Sequence, residues 1–566
     1  MTDQPKKNTG KGLPMTAMWD PAKLEKEKAQ LRALESKPFF ERSVGYIKRT
    51  GPGLLQSAMT LGAGSAAASV VAGASFGYKL LWVQPLAMFF GVLMFAALAN
   101  IVLTTRERPY KAFMRELSII LVFLWAFGTI TASVVWHFPQ YGLAAGSARS
   151  LVQEFNPNLE LEKEVQAREG WLGAYGNGTP KVDSSTGEPV MAKVFTKTGV
   201  AVSFLVGLLI LAINMTVVFN YGSGGRGIRF YEWFLRGVIA LTILMFFLVV
   251  VVNFWRVDWP EVFKGFIGWY GIPGSDDPVE YGKTITTVLG MLGAAVGINM
   301  TFLYPYSLLA KGWGEEHKTL VKWDLGMTMF LPFSIVTSLI MITMAVTGVY
   351  DGRDVVNAGI TPIDAAKSLH SVFGSGELGT KIGRLIFCGG LIGMTCGAIS
   401  THMVVCGFTM CEMLGLDYTK TRFRLFALTP SIGILGVVFQ LPFWFPIAAS
   451  AICLTMLPIA YFIFLVLNNK RSFIGGAVGK GLKRELFNLG LCLALFMAVV
   501  GAIIKIKGGV IDRIFPAKKA AAPPTIGEPA HGVEVTLDPA DPRDAVILNA
   551  IRQLKELEKT PSAPVN

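Results

Sequence analysis

The chain has 566 residues, of which 52% are hydrophobic and 16% charged, with a formal net charge of +13. Soluble domains carry about 25% charged residues. The low charge excludes an ordinary soluble protein, and repeated apolar runs of about 20 residues, each able to cross a ~30 Å hydrocarbon core, predict a polytopic membrane protein. The positive charge needs no nucleic-acid partner. No basic region interleaved with aromatics occurs, and Lys and Arg are expected in excess beside cytoplasmic loops.

In chain order, residues 1–50 are polar and contain no apolar signal-peptide core. They predict a cytoplasmic N-terminal segment with a short Lys/Glu-rich surface helix. Eleven all-α spans follow, at about 53–79, 81–104, 115–137, 199–220, 232–255, 285–310, 325–349, 385–410, 425–444, 446–468 and 486–504; they are called spans 1 to 11 below. With the N-terminus inside, the short loops "RERPYK", "GSGGRGIR", "KGWGEEHKTLVK", "YTKTRFR" and "NNKRSFIGGAVGKGLKRE" are cytoplasmic and mostly basic. The large loops 138–198 and 256–284 are then external, as the positive-inside rule requires.

The transmembrane domain is thus expected over residues 51–505, in a bacterial inner membrane. The tail 506–566, a Pro/Ala linker ending in a short helix at 543–559, is expected outside. Asn177 begins an Asn-Gly-Thr acceptor pattern, which carries no meaning in a bacterial protein. The six cysteines (388, 396, 406, 411, 453 and 492) lie in or beside apolar runs without metal spacing and read as small core residues. No P-loop or HExxH occurs, so neither an enzyme nor a cofactor is expected.

Spans 1 and 6 differ from the others. "LGAGSAAASVVAGASFGY" and "LGAAVGINMTFLYPYS" carry glycines and small polar residues through their middles, at corresponding places in two halves of the chain. Interrupted helices so placed point to an inverted-repeat transporter, because broken backbone is tolerated in a membrane only where it lines a cavity or binds a ligand.

The residues "GPGLLQSAMT…AGASFGYKLLWV" resemble the first span of the Nramp divalent-metal transporters. "GAAVGINMTFLY" and "GGLIGMTCGAISTHMVVCGF" resemble that family's sixth and eighth spans. The resemblance covers about residues 45–505 and implies a LeuT-like fold: two inverted five-helix repeats plus one extra helix. The family's metal-binding residues are not retained. Where its first break reads Asp-Pro-Gly-Asn, this chain has Gly62, Ala63, Gly64 and Ser65; where its second reads Met-Pro-His-Asn, it has Gly297, Ile298, Asn299 and Met300. The Ala294 carbonyl is the one family ligand expected to persist, and Tyr304 stands in place of a family histidine.

No carboxylate lies in the middle of a predicted span, and His402 is the one histidine well inside one, a candidate proton carrier. With no carboxylate and no soft ligand at either break, transition-metal binding is disfavoured. Small residues at the breaks predict a wider pocket. Free N–H groups at residues 64–67 would hold the carboxylate of a small organic solute, with Phe302 beside Gly297 and Asn299 against its remainder. The first expectation is therefore a secondary transporter for such a solute. The alternatives are a transporter of hydrated Mg²⁺ and a non-transporting membrane receptor or scaffold.

Overall fold

The structure, a computed structural model, describes residues 21–168, 177–182, 188–221, 225–274, 278–347, 350, 352, 363, 377–437 and 444–507. The expected C-terminal helix and most of the loop after span 7 lie outside these residues. The chain up to Val510 forms one compact unit. Among the described residues, eight helices are long and apolar enough to cross a bilayer, and a bent pair makes a ninth.

That pair is span 1, Pro52–Thr60 and Ala63–Phe76, bent by 54°. Span 2 is Val83–Thr105, span 4 Lys197–Tyr221 and span 5 Gly225–Val252. Span 6 is interrupted between Pro278–Ala295 and Ile298–Ala310. Span 7 runs from Lys318 to Val346 through a turn of π-helix at Leu325–Phe330. Span 8 is Glu377–Met413, span 10 Trp444–Asn469 and span 11 Gly481–Ile506. Both expected breaks are present. They are shorter than the sequence suggested, because the second half of span 1 already restarts at Ala63.

Two spans depart from expectation. Span 3 does not stop at 137 but continues as one helix, Ile119–Phe155, with Pro139 inside it. A proline removes one helical hydrogen bond without ending a helix that neighbours hold in place. Here span 3 packs along spans 8 and 9 on either side of Pro139. The large loop therefore begins at Asn156 and contains an antiparallel hairpin, Glu162–Gln166 with Met191–Phe195.

The ninth segment is not a plain α-helix. It is a short helix, Lys420–Ala427, followed by a 3-10 stretch, Thr429–Val437. Its glycines lie against span 3: a Cβ on Gly433 would fall 2.6 Å from the His137 Cβ, and one on Gly436 would strike the Phe138 carbonyl. Close approach to span 3 fixes these positions as glycine.

Buried carboxylates anchor the face that carries the N-terminus. Asp324 of span 7 accepts from the Gly51 and Gly53 N–H groups, at 2.7 and 2.6 Å, at the uncapped start of span 1. Lys311 meets Glu232 at 3.0 Å, and Tyr418 donates to Glu412 at 2.8 Å. These acids lie near span ends, so they escape a search of span middles. Asp324→Ala leaves two buried N–H donors without their acceptor and should cost about 3 kcal/mol. Denaturation in mild detergent should show this loss, with a smaller one for Asp324→Asn, whose amide oxygen still accepts. Unchanged stability of Asp324→Ala would remove this anchor from the account.

Candidate functional site

Breaking a helix in a membrane frees carbonyls on one stub and N–H groups on the other, and each costs several kcal/mol if it finds no partner. Short polar side chains of this chain satisfy them. Ser65 reaches back across the first break: its Oγ donates to the Thr60 carbonyl at 2.7 Å and accepts from the Gly62 N–H at 3.1 Å. The Ala63 N–H, first of the second half-helix, donates to Gln140 Oε1 at 2.8 Å. The Thr60 hydroxyl ties the two breaks together, donating to the Ala295 carbonyl at 2.7 Å and approaching that of Ala294 at 3.1 Å. Across the second break, the Gly297 N–H points at Met300 Sδ, and Asn299 Oδ1 accepts from the Met300 N–H at 3.0 Å.

Between the breaks lies a cavity of about 40 Å³. It is bordered by Thr60, Gly62, Gly64 and Ser65 from span 1 and by Gly293, Ala294, Gly297, Asn299 and Met300 from span 6. Met59, Trp136, Gln140 and His402 complete it. A water needs about 10–15 Å³ measured this way, so the space suits an ion with two or three waters.

Seven of the expected site residues border the cavity besides His402: Gly62, Gly64, Ser65, Ala294, Gly297, Asn299 and Met300. Ala63 and Ile298 flank it without bordering it. Phe302 is elsewhere, in an aromatic stack 4.7 Å from Trp125 and 4.8 Å from Tyr306. Tyr304 is also outside the cavity, edge-on to Phe95 at 5.3 Å.

Three residues carry consequences the sequence reading missed. Trp136 and Gln140 come from the middle of span 3, on either side of Pro139, and Gln140 lies beyond the end expected at 137. A Cβ on Gly62 would lie 2.6 Å from Gln140 Nε2, and one on Gly64 would lie 2.8 Å from Trp136 Cη2. The small residues at the first break thus admit these two side chains and do not widen the pocket. Met300 and Met59 both border the cavity, so residues with thioethers are present there although no carboxylate is. Apolar spacing continuing past Pro139, through Tyr141, Leu143 and Ala144, was the signal for the longer helix.

His402 has a neighbour. The ring of His137, on span 3, lies 5.6 Å from it, centroid to centroid. Both are buried, and neither nitrogen of His137 nor Nδ1 of His402 has a hydrogen-bond partner among the described residues.

Gly62 has extended backbone, φ −150° and ψ −164°, so alanine is opposed there by packing, chiefly against Gln140 and also against the Ala398 Cβ at 3.1 Å. Gly62→Ala should lower stability by about 1–3 kcal/mol through overpacking. Gln140→Ala in the same chain should recover part of that loss, which a double-mutant cycle on thermal unfolding measures. Strictly additive losses would contradict the packing described.

Residues 192–506 match the family described as natural resistance-associated macrophage protein-like, Nramp. Comparison with curated sequences gives no match. Among solved structures, the chain is similar to the manganese transporter of Eremococcus coleocola in complex with an aromatic bis-isothiourea compound. The TM-score is 0.60 at 14% identity, covering 85% of this chain and 90% of that one. A mutant of the same transporter matches with a TM-score of 0.59 at 15% identity, over 92% and 94% of the two chains. These likenesses carry the fold, a LeuT-like five-plus-five inverted repeat with an eleventh helix. With more than half of its length inside the family match, this chain belongs to the Nramp family and is a membrane transporter, not an enzyme.

Proposed function

We propose that this transporter carries a divalent cation that keeps part of its water shell, with Mg²⁺ as the best chemical match. The observation that carries the reading is the 40 Å³ cavity whose border includes the neutral oxygen-bearing residues Thr60, Ser65, Gln140 and Asn299 and the Ala294 carbonyl region. Mg²⁺ is a hard ion that takes oxygen ligands and sheds its waters reluctantly. Most of these oxygens already serve the breaks, and without a carboxylate the ion's charge is poorly compensated. The affinity should therefore be weak, on the order of a millimolar, as for low-charge oxygen sites.

An organic solute with a carboxylate fits this geometry less well. Of the N–H groups at 64–67 that would receive the anion, that of Ala66 donates to the Gly62 carbonyl at 3.0 Å, and Trp136 and Gln140 occupy the room that the glycines leave. A second reading, a transition metal, has an observation in its favour: Met59, Met300 and His402 all border the cavity, and thioether and imidazole are ligands for softer ions. The Met300 sulfur is already approached by the Gly297 N–H at 3.3 Å, which places this reading second.

Calorimetry on the purified protein separates these ions. Mg²⁺ should bind in the millimolar range and keep its affinity within about twofold in Met300→Leu, because a thioether adds little for a hard ion. Micromolar Mn²⁺ binding that falls tenfold or more in Met300→Leu would establish the second reading. Stabilisation by amino acids or organic acids, with no response to either ion, would return the solute; no ligand response and no uptake would indicate a receptor.

His402 is the residue we assign to proton exchange with the cavity, with His137 as its neighbour. Uptake driven by a pH gradient into vesicles should lose its dependence on that gradient in His402→Ala. Unchanged coupling would remove His402 from the route. In the same reading the N-terminus faces the cytosol of a bacterial cell and the C-terminal tail lies outside, following the basic loops.

A further inference from the structure

A second, larger cavity of about 440 Å³ lies far from the helix breaks, on the face that carries the N-terminus. Spans 2, 7, 10 and 11 wall it, and five cations line it: Lys318, Lys322, Lys480, Lys483 and Arg484. Lys318 is paired with Glu315 at 3.1 Å, and Arg484 spends Nε on Asn469 at 3.0 Å. The side chains of Lys322, Lys480 and Lys483 make no ion pair or hydrogen bond among the described residues. Nearby Lys470, by contrast, is held by Glu116 at 3.1 Å. No carboxylate borders the cavity.

Two further features point the same way. The 26-residue helix of span 11 starts at the cavity with no side-chain cap and no acidic residue in its first turn, so its N-terminal dipole adds to the positive field. The wall is also partly built from paired amides. Asn100 donates to Asn468 at 2.9 Å, and Asn469 exchanges bonds of 2.9 and 3.0 Å with Asn488. These pairs fix the shape of a polar pocket beside unneutralised charge.

We infer that this cavity holds the phosphate of an anionic membrane phospholipid. The cations would receive the phosphodiester oxygens. The chains would lie against the apolar part of the same cavity, where Ala96, Ala99, Leu103, Val321 and Phe487 line it. Basic pockets between spans on the cytoplasmic side suit such headgroups, because each cation adds to the attraction of the charged leaflet. That apolar lining favours a lipid over a free phosphate, which has no use for it.

The test uses the full chain in detergent, with thermal unfolding and native mass spectrometry as readouts. Phosphatidylglycerol should stabilise the protein and remain bound through gas-phase release, while phosphatidylcholine should do neither. The triple variant Lys322→Gln, Lys480→Gln, Lys483→Gln should weaken phosphatidylglycerol binding roughly a hundredfold, at about fivefold per cation. The control pair Lys420→Gln, Arg422→Gln, in another basic loop of the same face, should retain it. Equal binding of phosphatidylcholine, or undiminished binding by the triple variant, would overturn the site. Equal stabilisation by inorganic phosphate alone would overturn the lipid as its occupant.

Discussion

Two helices broken inside a low-dielectric bundle impose the constraint on which this structure depends. Their freed N–H and C=O groups must be answered by side chains, since no lipid can answer them. Thr60 does so across the gap between the breaks, and Ser65 does so within one of them. Gln140 does so from a third helix. Each is a short, uncharged hydrogen-bonding group, so the centre of the transporter is polar without a carboxylate of its own. The charges are placed elsewhere: Asp324, Glu232 and Glu412 anchor the ends of helices.

That division of labour shapes the chemistry of the centre. A hydroxyl or amide committed to a break has a lone pair left for an ion but little freedom to move toward one. The glycines at positions 62 and 64 look like room for a ligand when only their own segment is considered. In three dimensions they are room for Gln140 and Trp136. The same substitution of small for large side chains that suggested a wide pocket produces a narrow one, because a neighbouring helix has filled it. A compact cavity of about 40 Å³ with neutral polar residues is the ground for proposing an ion and its waters over an organic molecule.

Much of the fold was legible in the sequence because its strongest signals are local. Most apolar runs of membrane length and the paired interruptions near Gly62 and Gly297 survive in the structure. The limits came from residues whose meaning is set by a partner. Span 3, expected to end at 137, runs through Pro139 as a helix interior in the bundle. Gly433 and Gly436 read as part of an apolar span and are contact points for span 3. At the site, the break positions were readable, but Gln140, Trp136 and Thr60 were not, since nothing nearby in the chain announces which distant backbone group they serve. Met300 was read as part of the second break without its sulfur being placed, because its direction depends on how the half-helix restarts.

The central claim is that a small ion lies between the two breaks. Crystals soaked in millimolar Mn²⁺, used as an anomalous substitute for Mg²⁺, test it directly. The account predicts one anomalous peak within coordination distance of Thr60, Asn299 and the Ala294 carbonyl region, with waters completing the shell. Anomalous density absent from that cavity, or elongated density of an organic molecule that displaces Trp136 and Gln140, would contradict it.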